Sequence, residues 1–232
     1  MSVVAGANTI KDGLILSLDA ASPASYPGSG TTWYDTSGNG FHAEFTNLAA
    51  YSNGVFSFDG VDDFATVNGD VRTKIEASLQ STVTALVNIK FIEHVDNLIG
   101  WGNANSDGGG VSRTWGIYAQ SSNLRTVYSG GAIFGNNTTL LDKWVYLVGR
   151  YDSNQTYADV FGEYENSSST TLPSSSTWKN ISTSHPVTIG KTSYFGRWME
   201  VDISLIQVYD TFLSDNQIKQ NYHAIRGRFG LT

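Results

Sequence analysis

Short apolar runs in which every second residue is hydrophobic recur along the whole chain. In the clearest run, residues 83–92, positions 83, 85, 87, 89 and 91 are apolar, whereas Thr84, Asn88 and Lys90 stand between them. Side chains alternate between the two faces of a strand, so this pattern predicts a strand with one buried face and one face partly exposed to water. The same reasoning predicts strands at residues 14–18, 55–58, 98–101, 115–119, 124–128, 144–151, 157–161, 187–189 and 201–209.

The amino-acid composition favours strands joined by loops over long helices. The chain has 232 residues, of which 27 are Ser, 22 Thr, 17 Asn and 24 Gly. These residues are common in turns and unfavourable inside helices. We expect a single domain at residues 12–232, preceded by a lead segment, residues 1–11, that is a candidate anchor. The Ser-, Thr- and Asn-rich residues 163–185 are predicted to form a long surface loop of that domain.

Net charge and the absence of cysteine exclude several classes of protein. The 14 Lys and Arg residues are outnumbered by 21 Asp and Glu residues, which gives a net charge of −7. Nucleic acid is not an expected partner, because binding to phosphates requires a basic surface. With no Cys, the chain has no disulfide and no thiolate metal site. The sequence shows neither a signal peptide nor an apolar stretch of membrane-spanning length, so we expect no membrane insertion.

One short amphipathic helix is predicted near the C-terminal end. Ser214 followed by Gln217 forms a capping box, which marks the start of a helix. Gly227 is expected to end that helix as its C-cap. The apolar face of the helix is predicted to consist of Ile218, Tyr222 and Ile225.

Four parts of the chain are similar to one known fold family. They read DGLILSLDAA with SYPGSGTTWYDTSGNG (12–21 and 25–40), FDGVDDF (58–64), VTIGK (187–191), and VDISLIQVYDTFLS with RGRFG (201–214 and 226–230). Together they resemble the concanavalin A-like, laminin G-like jelly-roll domain of the kind found in structural proteins of tailed-bacteriophage virions. The resemblance implies an all-β, two-sheet antiparallel jelly-roll sandwich with a short C-terminal amphipathic helix.

The resemblance also implies a candidate calcium site, because related domains of this fold often carry one. Two loops offer the oxygen ligands that calcium prefers, and the candidate ligands are Asp35, Asn39, Asp59 and Asp62. The alternative is that Asp and Asn are present there because their side chains form tight turns with neighbouring glycines. No other cofactor is expected.

One predicted strand carries part of a glycosidase motif. Laminarinase-type glycosidases share this fold and use a strand that reads Glu-x-Asp-x-(x)-Glu, which projects its carboxylates into one cleft. Glu200 and Asp202 match the first two positions, but no second Glu follows. The motif therefore lacks its general acid, and we do not expect the protein to be an enzyme.

Four aromatic residues beside glycine-rich loops are candidates for a ligand or partner surface. Trp101, Trp115, Tyr118 and Tyr128 lie in or next to the ends of predicted strands, close to the glycines at 108–110 and 130–131. Exposed aromatic side chains would form a platform for a glycan or a protein. The alternative is that these residues belong to the core.

Two functions are consistent with the sequence. The first is a non-enzymatic virion structural protein, displayed on the surface of a phage particle as a capsid decoration or a head or tail appendage. Its partners would be other virion proteins, such as the major capsid protein or an appendage protein, and homo-oligomer formation stays open. The second is a carbohydrate-binding, lectin-like module or adhesin that recognises a host surface glycan. The resemblance favours the first function, whereas exposed aromatic side chains would favour the second.

Overall fold

Two antiparallel β-sheets packed face to face account for most of the molecule. The structure is a computed structural model that describes residues 8–78, 80–91, 97–103, 113–120, 122–126, 131–152, 155–171, 186–192 and 197–231. These residues form the strands β1 (Leu14–Asp19), β2 (Thr32–Trp33), β3 (Ala43–Thr46), β4 (Ala50–Ser52), β5 (Val55–Asp59), β6 (Phe64–Val67), β7 (Gln80–Ile89), β8 (Asn97–Asn103), β9 (Arg113–Gln120), β10 (Asn123–Thr126), β11 (Ile133–Asn136), β12 (Trp144–Asp152), β13 (Gln155–Gly162), β14 (Asn166–Thr171), β15 (Thr188–Ile189) and β16 (Glu200–Tyr209). Two α-helices are α1 (Val71–Ser78) and α2 (Asp215–Ile225).

Each sheet contains eight of these strands. The first sheet has the order β14-β13-β12-β7-β16-β5-β4, and β1 also pairs with β16. Strands β5 and β1 pair with successive parts of β16, residues 200–203 and 205–209. The second sheet has the order β11-β10-β9-β8-β15-β6-β3-β2. This arrangement confirms the predicted all-β, two-sheet antiparallel sandwich with a short C-terminal helix.

The central strand β7 shows how the sequence pattern produces the core. Its alternate apolar residues face the other sheet and join the main core: they are Val83, Ala85, Val87 and Ile89. The opposite face was expected to be partly wet, but Thr84 is fully buried and Asn88 is 8% exposed. Helix α2 explains part of the difference, because it covers this face of the sheet and packs a second apolar cluster that includes Leu86. Phe91 lies beyond the end of the strand and is 47% exposed.

Helix α2 begins as predicted and ends differently. The Ser214 side chain accepts a hydrogen bond from the Gln217 backbone N–H, and the Gln217 side chain accepts one from the Ser214 backbone N–H, which confirms the capping box. The predicted apolar face is buried, as Ile218, Tyr222 and Ile225 all belong to the second cluster. Neither helix in the described ranges is long and apolar enough to cross a membrane.

The prediction that Gly227 caps helix α2 is wrong. The chain continues from α2 into a 3-10 helix over Arg226–Phe229, and the left-handed residue is Gly230, with φ of 68°. The Phe229 ring stacks on the Trp144 ring at 3.7 Å between centroids, so packing against β12 carries the helical path beyond Gly227. A left-handed C-cap favours glycine, and the chain meets that requirement one turn later than the sequence suggested.

The described part of the lead segment, residues 8–11, is attached to the domain. The Ile10 backbone N–H donates to Asn221 Oδ1 at 2.7 Å, and Gln220 Nε2 donates to the Asn8 carbonyl at 2.8 Å. Both partners are on helix α2, which places residues 8–10 against the sandwich. An anchoring role for residues 1–11 stays a prediction, because residues 1–7 lie outside the described ranges.

The serine-rich residues 163–185 are not one continuous loop. Residues Asn166–Thr171 form strand β14, which lies at the edge of the first sheet and pairs with β13. The Ser168 hydroxyl donates to the Ile133 carbonyl at 2.8 Å and accepts from the Ile133 N–H at 3.1 Å, which links β14 to β11 of the second sheet. Serine has a low strand propensity, but here its hydroxyls satisfy backbone groups across the sandwich. The rest of the predicted loop, residues 172–185, lies outside the described ranges.

Candidate functional site

The prediction of an exposed aromatic surface is wrong for Trp101, Trp115 and Tyr118. Trp101 and Tyr118 are fully buried and Trp115 is 1% exposed. The Trp101 and Trp115 rings stack at 4.6 Å inside the core, where Trp115 Nε1 donates to Ser81 Oγ at 3.1 Å. Their proximity to glycine-rich loops was no guide to exposure, because the strand alternation directs both tryptophans inward. Tyr128 lies outside the described ranges.

Asp35, the first candidate calcium ligand, accepts hydrogen bonds through both carboxylate oxygens from its own loop and from strand β1. Oδ1 accepts from the backbone N–H groups of Ser17 at 2.9 Å and Ser37 at 2.8 Å. Oδ2 accepts from Ser37 Oγ at 2.7 Å and from the Phe41 N–H at 3.1 Å. Asn39, the second candidate, donates through Nδ2 to Ser37 Oγ at 3.0 Å. These bonds match the turn-forming alternative, since they leave Asp35 little capacity to bind a cation.

The other two candidate ligands lie together in a different turn. Asp59, Asp62 and Asp63 have carboxylate oxygens within 4.8 Å of one another. Asp59 Oδ1 accepts from the Val61 N–H at 2.8 Å, which is the bond of an Asx turn. Burial and the charge of Asp59 raise the pKa of Asp63 above its usual value. The predicted set of four ligands is thus divided between two loops, and calcium binding stays a prediction.

The two carboxylates of the partial glycosidase motif have different surroundings. Glu200 is exposed at the start of β16. The Asp202 carboxylate lies 3.5 Å from Lys90 Nζ, which also reaches Asp142 at 3.4 Å. Asp202 therefore belongs to a small ion-pair network at the surface of the sheet.

An open groove lies on the helix-covered face of the first sheet. It has a volume of about 890 Å³ and lies between strands β12 to β14 and the start of helix α2. Its principal side chains come from four parts of the chain and are Arg150, Tyr157, Asp159, Ser167, Phe212 and Lys219. We call it the Arg150 groove. Ligand sites in proteins commonly have volumes of about 300–1,000 Å³, so this groove is large enough for a small ligand.

Arg150 organises one wall of the groove. It projects from β12 on the helix-covered face, and its side chain is only 8% exposed. Nη2 lies 2.8 Å from Asp159 Oδ2, while Nη1 donates to Asp215 Oδ1 at 2.8 Å and to the Leu213 carbonyl at 3.1 Å. Because Asp159 is on β13 and Asp215 is the first residue of α2, the guanidinium fixes the helix start against the sheet.

Two aromatic rings lie on Arg150. The guanidinium carbon is 4.8 Å from the centre of the Phe212 ring and 5.3 Å from that of Tyr157. The two rings meet edge to face at 5.3 Å between centroids. Both residues are half-buried, so each presents part of its ring to the groove. The cation–π contacts hold these rings in a defined orientation.

The neighbouring strand β14 adds hydroxyl groups to the groove. In the register of β13 and β14, Tyr157 is opposite Ser169 and Asp159 is opposite Ser167. Directly paired residues share a face, so Ser167 and Ser169 are on the groove side of the sheet. Ser167 Oγ donates to Asp159 Oδ1 at 2.8 Å. The groove therefore has an aromatic part and a polar part next to each other.

Buried polar groups beside the groove attach helix α2 to the sheet. Tyr209 Oη accepts from Asn221 Nδ2 at 3.0 Å and donates to the Ile10 carbonyl at 3.2 Å. Burial raises the pKa of Tyr146 to about 12, and burial together with the nearby Tyr146 raises the pKa of Tyr209. Both shifts have the same cause: a charged phenolate would be costly in these buried surroundings.

The sequence contained part of the signal for this groove. Tyr157, Asp159 and Phe161 alternate along a predicted strand, and Arg150 stands in another predicted strand among apolar residues. A charged residue at such a position implies a buried partner or a site. The partner could not be identified, because Asp215 is 65 residues further along the chain.

Comparisons with known proteins identify the fold. No family model and no curated protein sequence matches the chain. Its structure is similar to the Trypanosoma rangeli sialidase in complex with the inhibitor DANA, with a TM-score of 0.66, 20% identity, and coverage of 96% of this chain and 34% of the sialidase. It is also similar to the botulinum neurotoxin serotype D binding domain, with a TM-score of 0.59, 16% identity, and coverage of 94% of this chain and 54% of that chain.

These likenesses show a β-sandwich fold and no more. The chain spans about a third of the length of the sialidase and about half the length of the toxin chain. One protein is a sialidase and the other a toxin binding domain, so the virion role stays a prediction of the sequence.

Proposed function

We propose that the chain is a carbohydrate-binding β-sandwich module and that the Arg150 groove is its binding site. The observation that carries the proposal is the pair of fixed aromatic rings, Tyr157 and Phe212, beside a row of hydroxyl and carboxylate groups. A pyranose ring has an apolar C–H face and a rim of hydroxyl groups. The aromatic part of the groove suits the first, and the polar part suits the second.

The similar structures support carbohydrate binding as a class of function, and they do not identify a ligand. One of them is a sialidase that has also been solved with sialic acid, and another is the receptor-binding domain of a botulinum neurotoxin. A sandwich of this shape is thus present in proteins that act on a sugar or bind a receptor. The proposal therefore agrees with the second of the two functions expected from the sequence.

The proposed activity is binding without hydrolysis. Asp159 and Asp215 both pair with the same guanidinium, so neither carboxyl is in the isolated, apolar setting that prepares a general acid. Glu200 and Asp202 are not among the residues that line the groove. Incubation with sialylated and β-glucan oligosaccharides should release no free sugar. Turnover that is lost in Asp159→Asn or Glu200→Gln would contradict this part of the proposal.

A glycan array followed by calorimetry tests the binding function. The intact chain should bind a defined set of glycans, and Phe212→Ala should weaken that binding at least about tenfold, since it removes one ring of the platform. Phe91→Ala is the matched control, because Phe91 is 47% exposed and lies outside the groove. Equal loss in both variants, or silence of the array, would contradict the proposal.

A further inference from the structure

We infer that the Arg150 groove selects neutral saccharides over anionic ones. This inference rests on the proposed function and adds the chemical class of the ligand. Recognition of a sugar carboxylate commonly relies on an arginine, whose planar guanidinium can donate two parallel hydrogen bonds to the two oxygens. The groove contains an arginine, so the question is whether that arginine is available.

Arg150 is already occupied by protein groups. Its two terminal nitrogens donate to Asp159, Asp215 and the Leu213 carbonyl, all at 3.1 Å or less. Its Nε is buried without a hydrogen-bond partner and is out of reach of a ligand in the groove. The rings of Tyr157 and Phe212 also lie against the guanidinium, with centroids 5.3 and 4.8 Å from its carbon. An anionic sugar would have to displace at least one carboxylate to form a paired contact with Arg150.

The remaining charges of the groove do not favour an anion either. Its lining contains two cationic residues, Arg150 and Lys219, and three acidic residues, Asp159, Glu165 and Asp215. Glu165 and Lys219 are both exposed, and their opposite charges offset each other in the sum over the lining. The lining therefore has a net charge of −1, within a chain of net charge −7.

The effect of that charge on selectivity is moderate and depends on salt. A unit charge about 7 Å from a ligand carboxylate, in a solvated groove, disfavours it by at least about threefold. The Debye length is about 8 Å at physiological ionic strength, so the preference should increase when salt is lowered. Hydroxyl groups of a neutral sugar carry no such penalty and can bond to the serine hydroxyls and to Asp215.

The test uses a matched pair of ligands, a galactose-terminated glycan and the same glycan capped with sialic acid. Binding is measured by calorimetry at two salt concentrations for the intact chain, Glu165→Lys and Glu200→Lys. The intact chain should bind the neutral glycan at least about threefold more tightly. Glu165→Lys changes the lining from −1 to +1. It should raise the affinity for the sialylated glycan about fivefold relative to the affinity for the neutral glycan. Glu200→Lys makes the same change of charge outside the groove and should leave the preference unaltered.

The outcomes separate this inference from the proposed function. Equal or tighter binding of the sialylated glycan by the intact chain would overturn the selectivity and leave carbohydrate binding intact. An identical response of Glu165→Lys and Glu200→Lys would place the selectivity elsewhere and also overturn it. If neither glycan binds and no glycan on the array binds, the proposed function itself would be overturned.

Discussion

Replacing Arg150 by Met should destabilise the protein more than any other arginine substitution in the described ranges. Met keeps the apolar stem of the side chain and removes the guanidinium. Asp159 would then keep a buried charge whose remaining side-chain partner is the Ser167 hydroxyl at 2.8 Å. The Leu213 carbonyl would lose a donor at the start of α2. The substitution therefore tests whether one buried cation holds the sheet and helix together.

The magnitude follows from the burial of the two partners. The side chains of Arg150 and Asp159 are 8% and 12% exposed, and loss of one partner of a buried pair costs about 3–5 kcal/mol. The second pair contributes little, because Asp215 is 76% exposed and exposed pairs are worth about 0–1 kcal/mol. The double variant Arg150→Met/Asp159→Asn removes both charges. Its destabilisation should therefore be about 2 kcal/mol smaller than the sum of the two single destabilisations.

Urea unfolding followed by tryptophan fluorescence measures these differences. For an m-value of about 2.5 kcal/mol/M, Arg150→Met should lower the midpoint by about 1–2 M. Arg228→Met is the matched control: Arg228 makes two bonds of 2.8 Å to Asp19, but its side chain is 31% exposed. It should cost less than about 1 kcal/mol. Equal small losses of stability in Arg150→Met and Arg228→Met would contradict the importance of the buried Arg150–Asp159 pair. A double variant that shows no coupling would also contradict it.

Three further predictions concern the sandwich and its helix. Gly116 has φ of 128°, and a Cβ there would collide with the Ile99 carbonyl, so Gly116→Ala should cost at least about 2 kcal/mol by urea unfolding. Gly227→Ala, where nothing lies within 4 Å, should stay within about 0.5 kcal/mol, and equal losses in both would contradict the clash. Ser214→Ala removes the cap of α2 and should cost about 1 kcal/mol, whereas an unchanged midpoint would argue against the capping box. Tyr146 has a pKa of about 12 when folded and an ordinary value near 10 when unfolded, so its contribution is complete below pH 10 and is lost between about pH 10 and 12. Between pH 10 and 12, the Tyr146→Phe variant should lose about 2–3 kcal/mol less free energy of unfolding than the intact chain. The same pH dependence in both proteins would contradict the raised pKa of Tyr146.

The sandwich could be predicted because its signal is local. Alternation along residues 83–92 identifies a central strand, and the capping box at Ser214 identifies the start of the helix. Where prediction failed, another part of the chain decided the outcome. Ser168 is in a strand because its hydroxyl bonds to Ile133, and Gly227 is not a cap because Phe229 stacks on Trp144. Neither contact could be predicted from local residue types.

The proposed binding site shows the same division. Trp115 alternates with Ile117 and Ala119 along one strand, so its inward direction could have been recognised from parity. The Arg150 groove could not, because it joins residues from β12, β13, β14 and α2 that are far apart in the sequence. Strand β7 lies between β12, which carries Arg150, and β16, which Phe212 follows, so Arg150 and Phe212 meet only in the folded sheet.

Backbone NMR during titration with a neutral oligosaccharide would locate the carbohydrate site. We expect saturable shifts of the amide signals of groove residues, namely Tyr157, Ser167, Ser169, Phe212 and Lys219. Signals at Asp59 and Asp62, in the acidic turn, should not move. Saturable binding with shifts confined to another surface would contradict the assignment of the Arg150 groove as the carbohydrate site.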